Sequence, residues 1–135
     1  MRRKSLNAQI VKRIARKRGD VFLRADFEDL GGYDQIGRSL RYLVKSGKLV
    51  KLGQGLYARA TTSPFDGRII PTKGVSDLMT EALGRVGVEA KPTRMQRDYN
   101  AGRTTQVPTG RVIGVNKRIR RTIGYDGWTA KFERA

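Results

Sequence analysis

An α+β fold is what this sequence predicts, on three observations. Apolar residues recur at helical spacing between residues 5 and 46 and again between 74 and 86. They alternate with period two near residues 48–57 and after residue 105, and Gly-rich stops punctuate the segments. The 135 residues suffice to bury a modest core, as one ordinary domain or two small ones sharing it.

The first helix is expected over "SLNAQIVKRIARKRG", with Ser5 as N-cap, Leu6, Ile10, Val11 and Ile14 on one stripe, and Gly19 as the stop. Its opposite face carries Lys12, Arg13, Arg16, Lys17 and Arg18, which read either as a solvated surface or as a phosphate contact. "DVFLRADF" has the apolar density of a short strand over Val21, Phe22 and Leu23. A short second helix follows, with Asp26 as its cap, Phe27 and Leu30 inward and Gly31-Gly32 as its end.

Asp34 is the expected cap of a third helix, in which Ile36, Leu40, Leu43 and Val44 make one apolar face. Gln35, Arg38, Ser39, Arg41, Tyr42 and Lys45 are expected on the other. Gly47 ends that helix, Lys48 to Leu52 alternate as a strand, "GQG" turns, and "LYAR" returns. Helix, strand, helix, tight turn, helix, hairpin is winged helix-turn-helix order. The third helix has the size and the donors to enter a major groove, and Lys48, Lys51 and Gln54 of the hairpin fall where a phosphate backbone would lie. This gives a division into a winged helix-turn-helix DNA-binding domain, residues 1–60, and a basic α+β subdomain, residues 61–135. In the second part a connector over 60–72, a helix over 74–87 with Val75, Leu78, Met79 and Leu83 inward, a short helix capped by Thr93 and a β-meander are expected in turn.

Charge narrows the function. Lys plus Arg number 29 against 12 Asp plus Glu, a net +17, with 15 basic and 5 acidic residues in 1–60 and 14 and 7 in 61–135. An excess spread over both halves favours a polyanionic partner, because bound Lys and Arg release counterions from its phosphates. With no Cys and no His, the chain has no disulfide, no thiolate zinc site and no imidazole base. "GGYDQIG" lacks the Lys-Ser or Lys-Thr of a phosphate loop, and Asp20, Asp26, Glu28, Asp29 and Asp34 sit where helix caps are expected rather than as a metal site. The expectation is a cytoplasmic, nucleoid-associated, non-enzymatic protein without a cofactor, with no membrane segment and acting as a monomer or homodimer. A second basic track is expected at Arg94, Arg97 and Arg103 near the short helix and at Lys117, Arg118, Arg120 and Arg121 in a strand of the tail. Those tail cations read equally as charges protecting a sheet edge or as phosphate contacts.

The stretch from Val21 to Tyr57 resembles the N-terminal winged helix of the AbiEi family of antitoxin-type regulators and their small plasmid- and phage-borne relatives. The family phrase L-x-x-L-x-x-x-G-x-L-x-[KR]-[LI]-x-x-G-x-Y is matched by Leu40, Leu43, Gly47, Leu49, Lys51, Leu52, Gly55 and Tyr57. Thr105, Gln106, Val107 and Pro108 match a T-x-Q-V-P-like phrase of its second half. The resemblance implies a sequence-specific repressor of its own promoter, with double-stranded DNA as partner and a cognate toxin encoded nearby as a second one. Two other classes remain open: a structural or regulatory RNA-binding protein, and a module that neutralises an acidic protein partner.

Overall fold

The computed structural model describes residues 5–108, 112–125 and 127–134. Helix α1 (Leu6–Arg16) leads into β1 (Val21–Leu23), a 3-10 helix (Arg24–Leu30), α2 (Tyr33–Lys45) and the hairpin β2 (Leu49–Gly53) and β3 (Leu56–Thr62). Then come β4 (Ile69–Pro71), α3 (Val75–Arg85), β5 (Ala90–Lys91), α4 (Arg94–Asn100), β6 (Val112–Val115), β7 (Gly124–Tyr125), β8 (Trp128–Thr129) and β9 (Lys131–Arg134). The chain is α+β, and its N-terminal part is a winged helix-turn-helix.

One sheet organises the molecule. Its strands run in the order β1-β3-β2, all antiparallel, with Phe22 opposite Tyr57 and Val50 opposite Ala58. Because successive side chains alternate across a strand, both faces can be apolar only if both are covered. Phe22, Leu49 and Tyr57 point into a core with Ile10, Ile14, Phe27, Ile36, Leu40 and Leu43 from the helices. Val21, Leu52, Leu56 and Ala58 point the other way, into a core with Leu78, Met79, Ala82 and Leu83 of α3 and with Val88, Val115 and Ile123. The first core lies wholly within residues 1–60, whereas the second draws on both sides of that boundary. At about 1.5–3 kcal/mol for each large apolar side chain removed from water, the second core matters to the sheet as much as the first.

The helix ends follow local chemistry. Ser5 accepts the Ala8 N–H (3.2 Å), and Thr93 and Gln96 form a reciprocal capping box at 3.1 and 2.7 Å, so both expected caps are present. Asp26 and Asp34 are not caps. Asp26 lies inside the 3-10 helix and reaches back to the Leu23 N–H (2.9 Å), while the N-cap of α2 is Gly32, whose N–H is taken by Gln35 Oε1 (3.2 Å). Asp34 instead occupies the first turn of α2, where its charge opposes the positive end of the helix dipole. Helix α1 stops at Arg16, short of Gly19, because Arg59 Nη2 reaches in from β3 to the carbonyls of Ile14 (3.0 Å), Lys17 (3.2 Å) and Gly19 (3.2 Å). At the end of α2 the left-handed Gly47 (φ 81°) lets Lys48 N–H return to Leu43 O (2.9 Å) and its own N–H to Val44 O (3.1 Å), turning the chain straight into β2.

The second half departs from expectation in connectivity. The connector over 60–72 is strand at both ends, since β3 runs on to Thr62 and pairs with β4 (Ile69–Pro71) across the turn between them. The tail is not a meander, since β6 lies between β5, antiparallel, and β9, parallel, with β7 and β8 as a separate hairpin. Residues 117–123 form no strand. Ile119 and Ile123 turn toward the second core while the Thr122 carbonyl lies against Gly53, so this segment packs on the wing instead of joining a ladder.

Candidate nucleic-acid interface

Helix α2 presents two faces set by its 3.6-residue repeat. Ile36, Leu40 and Leu43 are buried, and Arg38, Arg41, Tyr42 and Lys45 stand exposed on the opposite side with Gln35 at their flank. Ser39 is a correction to the expected outer face. It is only 7 % exposed, because residue 39 falls between Ile36 and Leu43 on the apolar stripe. Gln35 uses its carbonyl oxygen on Gly32.

The wing follows without a break. Lys48 and Lys51 are exposed, with Lys51 opposite Tyr57 in the ladder. Gln54 occupies the tip beside Gly55 (φ 67°), where a residue with a Cβ would be strained. Arg121 Nη1 donates to the Gln54 carbonyl at 3.1 Å, and a Cβ on Gly53 would stand 2.6 Å from Thr122 O. The tail is thereby fastened to the wing, and Arg120 and Arg121 border the same cavity as Gln54 and Thr122.

The distribution of carboxylates distinguishes this surface from the rest of the chain. Asp29 pairs with Arg13, Asp26 with Lys17 and Arg85, and Asp20 with Arg59 (3.0 Å) and Lys73 (3.5 Å). Glu81 of α3 pairs with Lys73 at 2.6 Å and accepts both the Asp20 and Val21 N–H groups at 2.8 Å, fixing α3 to the edge of β1. The hydrogen bond donated by Arg13 holds the Asp29 carboxyl below the usual carboxylate range and raises Arg13 in turn, and the one that Lys73 donates to Glu81 raises the Lys73 ammonium. These pairs are internal ties between elements. Among the described residues none of the ion pairs involves Arg38, Arg41, Lys45, Lys48 or Lys51. Apart from Asp34 in its first turn, the outer face of α2 and the wing thus form one cationic surface whose cations are in no ion pair.

Of the basic face of α1, Arg13 and Lys17 serve those ties, while Arg16 and Arg18 are exposed. The expected second track divides. Arg103 pairs with Asp98 (3.0 Å) and Arg97 donates to Pro92 O (3.2 Å), with Arg94 exposed in the first turn of α4. Lys117, Arg118, Arg120 and Arg121 are exposed together, but not on strand faces as expected, since that segment is irregular. Arg24 was not foreseen: its guanidinium lies 4.3 Å from the centre of the Tyr33 ring, and nothing in a nine-residue sequence separation signals that contact. No group of three or more His, Cys, Asp or Glu able to hold a metal occurs among the described residues, and none of their helices is long and apolar enough to cross a membrane.

The fold and the site together define a winged helix whose outward helix and wing are both cationic. Within it, residues 9–60 match the model of a particular family, the AbiEi antitoxin transcriptional regulators. The match runs from within α1 through most of β3 and holds every residue of the cationic surface just described, in agreement with the resemblance read from the sequence. That family is one of transcriptional regulators. No curated protein and no solved structure matches the chain.

Proposed function

We propose that this chain is a sequence-specific double-stranded DNA-binding repressor of the antitoxin type, acting on its own promoter. The observation that carries the reading is the cationic surface of α2 and the wing, whose cations are in no ion pair among the described residues, in a molecule whose other acidic side chains are largely spent on internal ties. The match of residues 9–60 to a regulator family supports the same conclusion.

In this reading α2 enters the major groove. Arg38 and Arg41 each have the planar fork of donors that pairs with guanine O6 and N7 or clamps a phosphate, and Gln35 and Tyr42 sample neighbouring edges. Lys45, Lys48, Lys51 and Gln54 hold the register on the backbone. Ser39, being buried, has no part in base contact. Arg120 and Arg121, carried to the wing tip by the tail, and the exposed Arg118 before them extend the same positive field. A toxin encoded nearby is the expected protein partner, and one copy on each half of a palindromic operator is the expected arrangement.

The test is a reporter driven by the DNA upstream of the gene. Expression of the protein should repress it, and the double variant Arg38→Ala/Arg41→Ala, made to the same level, should not. Equal repression by the two proteins would remove α2 from the groove.

A further inference from the structure

Arg24 lies at the junction of β1 and the 3-10 helix, between the two elements of the proposed interface. Its backbone N–H donates to Gly55 O at the wing tip (3.1 Å). Its side chain crosses to α2: Cζ sits 4.3 Å from the centroid of the Tyr33 ring, and a Cβ on Gly37 would stand 3.1 Å from Nη2 and 3.5 Å from Cζ. Gly37 is a buried position in the middle of a helix, where glycine is a poor helix former, and the room it leaves is filled by this guanidinium.

The guanidinium is held in place yet unsatisfied. Among the described residues Arg24 has no ion pair, and its Nε is buried without a hydrogen-bond partner. Arg59 is a useful contrast. It also lies over an aromatic ring, Phe22 at 5.4 Å, but its donors go to Asp20 and to three carbonyls. Arg59 is a structural cation whose donors are used; Arg24 is stacked, oriented and left without an acceptor. The buried Nε is beyond a ligand's reach, but the two Nη groups make no hydrogen bond among the described residues and are not buried, and a planar fork fixed by an aromatic face suits a tetrahedral oxyanion.

We propose that Arg24 is a backbone-phosphate contact for duplex DNA, oriented by Tyr33, given room by Gly37 and set between the groove helix and the wing. The inference rests on the DNA-binding reading above and adds to it a residue outside both α2 and the hairpin. A phosphate contact carries no base information, so its loss weakens all duplexes alike.

The test uses the full chain and fluorescence anisotropy on the upstream duplex and a shuffled duplex over a salt series, with a thermal melt for each protein. Arg24→Gln should weaken both duplexes by the same factor, lower the slope of log K against log salt by about 1, and keep a cooperative melt. Tyr33→Phe, which keeps the ring, should behave as the parent. Gly37→Ala should reproduce the Arg24→Gln loss by displacing the guanidinium, and should add nothing when Arg24 is already Gln. An unchanged slope in folded Arg24→Gln, or a loss confined to the upstream duplex, would overturn the phosphate assignment. So would additive effects of Gly37→Ala and Arg24→Gln. If the parent protein shows no preference for the upstream duplex, the sequence-specific reading fails instead, and the change in slope still reports on Arg24.

Discussion

Arg38 and Lys51 carry the same charge and should behave differently. Arg38 projects from the middle of the exposed face of α2 and Lys51 from β2; in the proposed complex the fork of Arg38 would meet a base edge and the point charge of Lys51 a phosphate. A good bidentate base contact discriminates by ~1–3 kcal/mol, so Arg38→Ala should reduce preference for the upstream duplex over a shuffled one by roughly 5- to 150-fold. Lys51→Ala should leave that preference intact while lowering the salt slope by about 1. Competition binding at two salt concentrations separates these outcomes. At this scale the sequence was readable wherever polarity and helical angle agreed, as at Arg38, Arg41, Tyr42 and Lys45. At Ser39 they conflict. A hydroxyl reads as surface, yet its angular position beside Ile36 and Leu43 puts it inside. Arg24 was unreadable for another reason: Tyr33 and Gly37 are neighbours on α2, but only the turn into that helix brings Arg24 to them.

Among the elements, α2 and the wing were the most legible, because the apolar repeat, the stop at Gly47 and the alternation of β2 are all local patterns. The 3-10 helix differs from the expected cap geometry because Asp26 serves Leu23, Lys17 and Arg85 from inside the element. The tail was less legible still. Its alternating residues suggest strands, but alternation does not say which strand pairs with which, and β6 takes β5 and β9 on its two sides. That arrangement depends on Gly114, where a Cβ would stand 2.1 Å from Lys91 O and 3.0 Å from the carbonyl carbon of Pro92. Gly114→Ala should force β6 away from β5 and cost on the order of 1–3 kcal/mol, as overpacking does. A urea titration followed by tryptophan fluorescence reads this through Trp128, which packs on the same core. A midpoint unchanged from the parent would mean that β5 and β6 are not packed as described.

In the whole molecule, the winged helix and the tail are bound through one sheet whose two faces belong to two cores. Removing residues 61–135 would uncover Val21, Leu52, Leu56 and Ala58, each at most 3 % exposed in the full chain, and would remove Glu81 from the Asp20 and Val21 amides. Residues 1–60 alone should therefore show no cooperative thermal transition by circular dichroism, whereas the full chain should; a sharp melt of the fragment would mean that the first core suffices. A stable sheet also sets the wing and the Arg118–Arg121 segment in one frame with α2. The net charge of +17 alone would drive binding to any polyanion, so affinity by itself does not distinguish a regulator from a basic protein. The most direct measurement is anisotropy of the full chain on duplex DNA from upstream of its gene, on a shuffled duplex and on a matched structured RNA, at low and near-physiological salt. A preference for the upstream duplex of ~10³ or more that persists at the higher salt is the predicted result. Equal and steeply salt-dependent binding to all three, or a preference for the RNA, would contradict it.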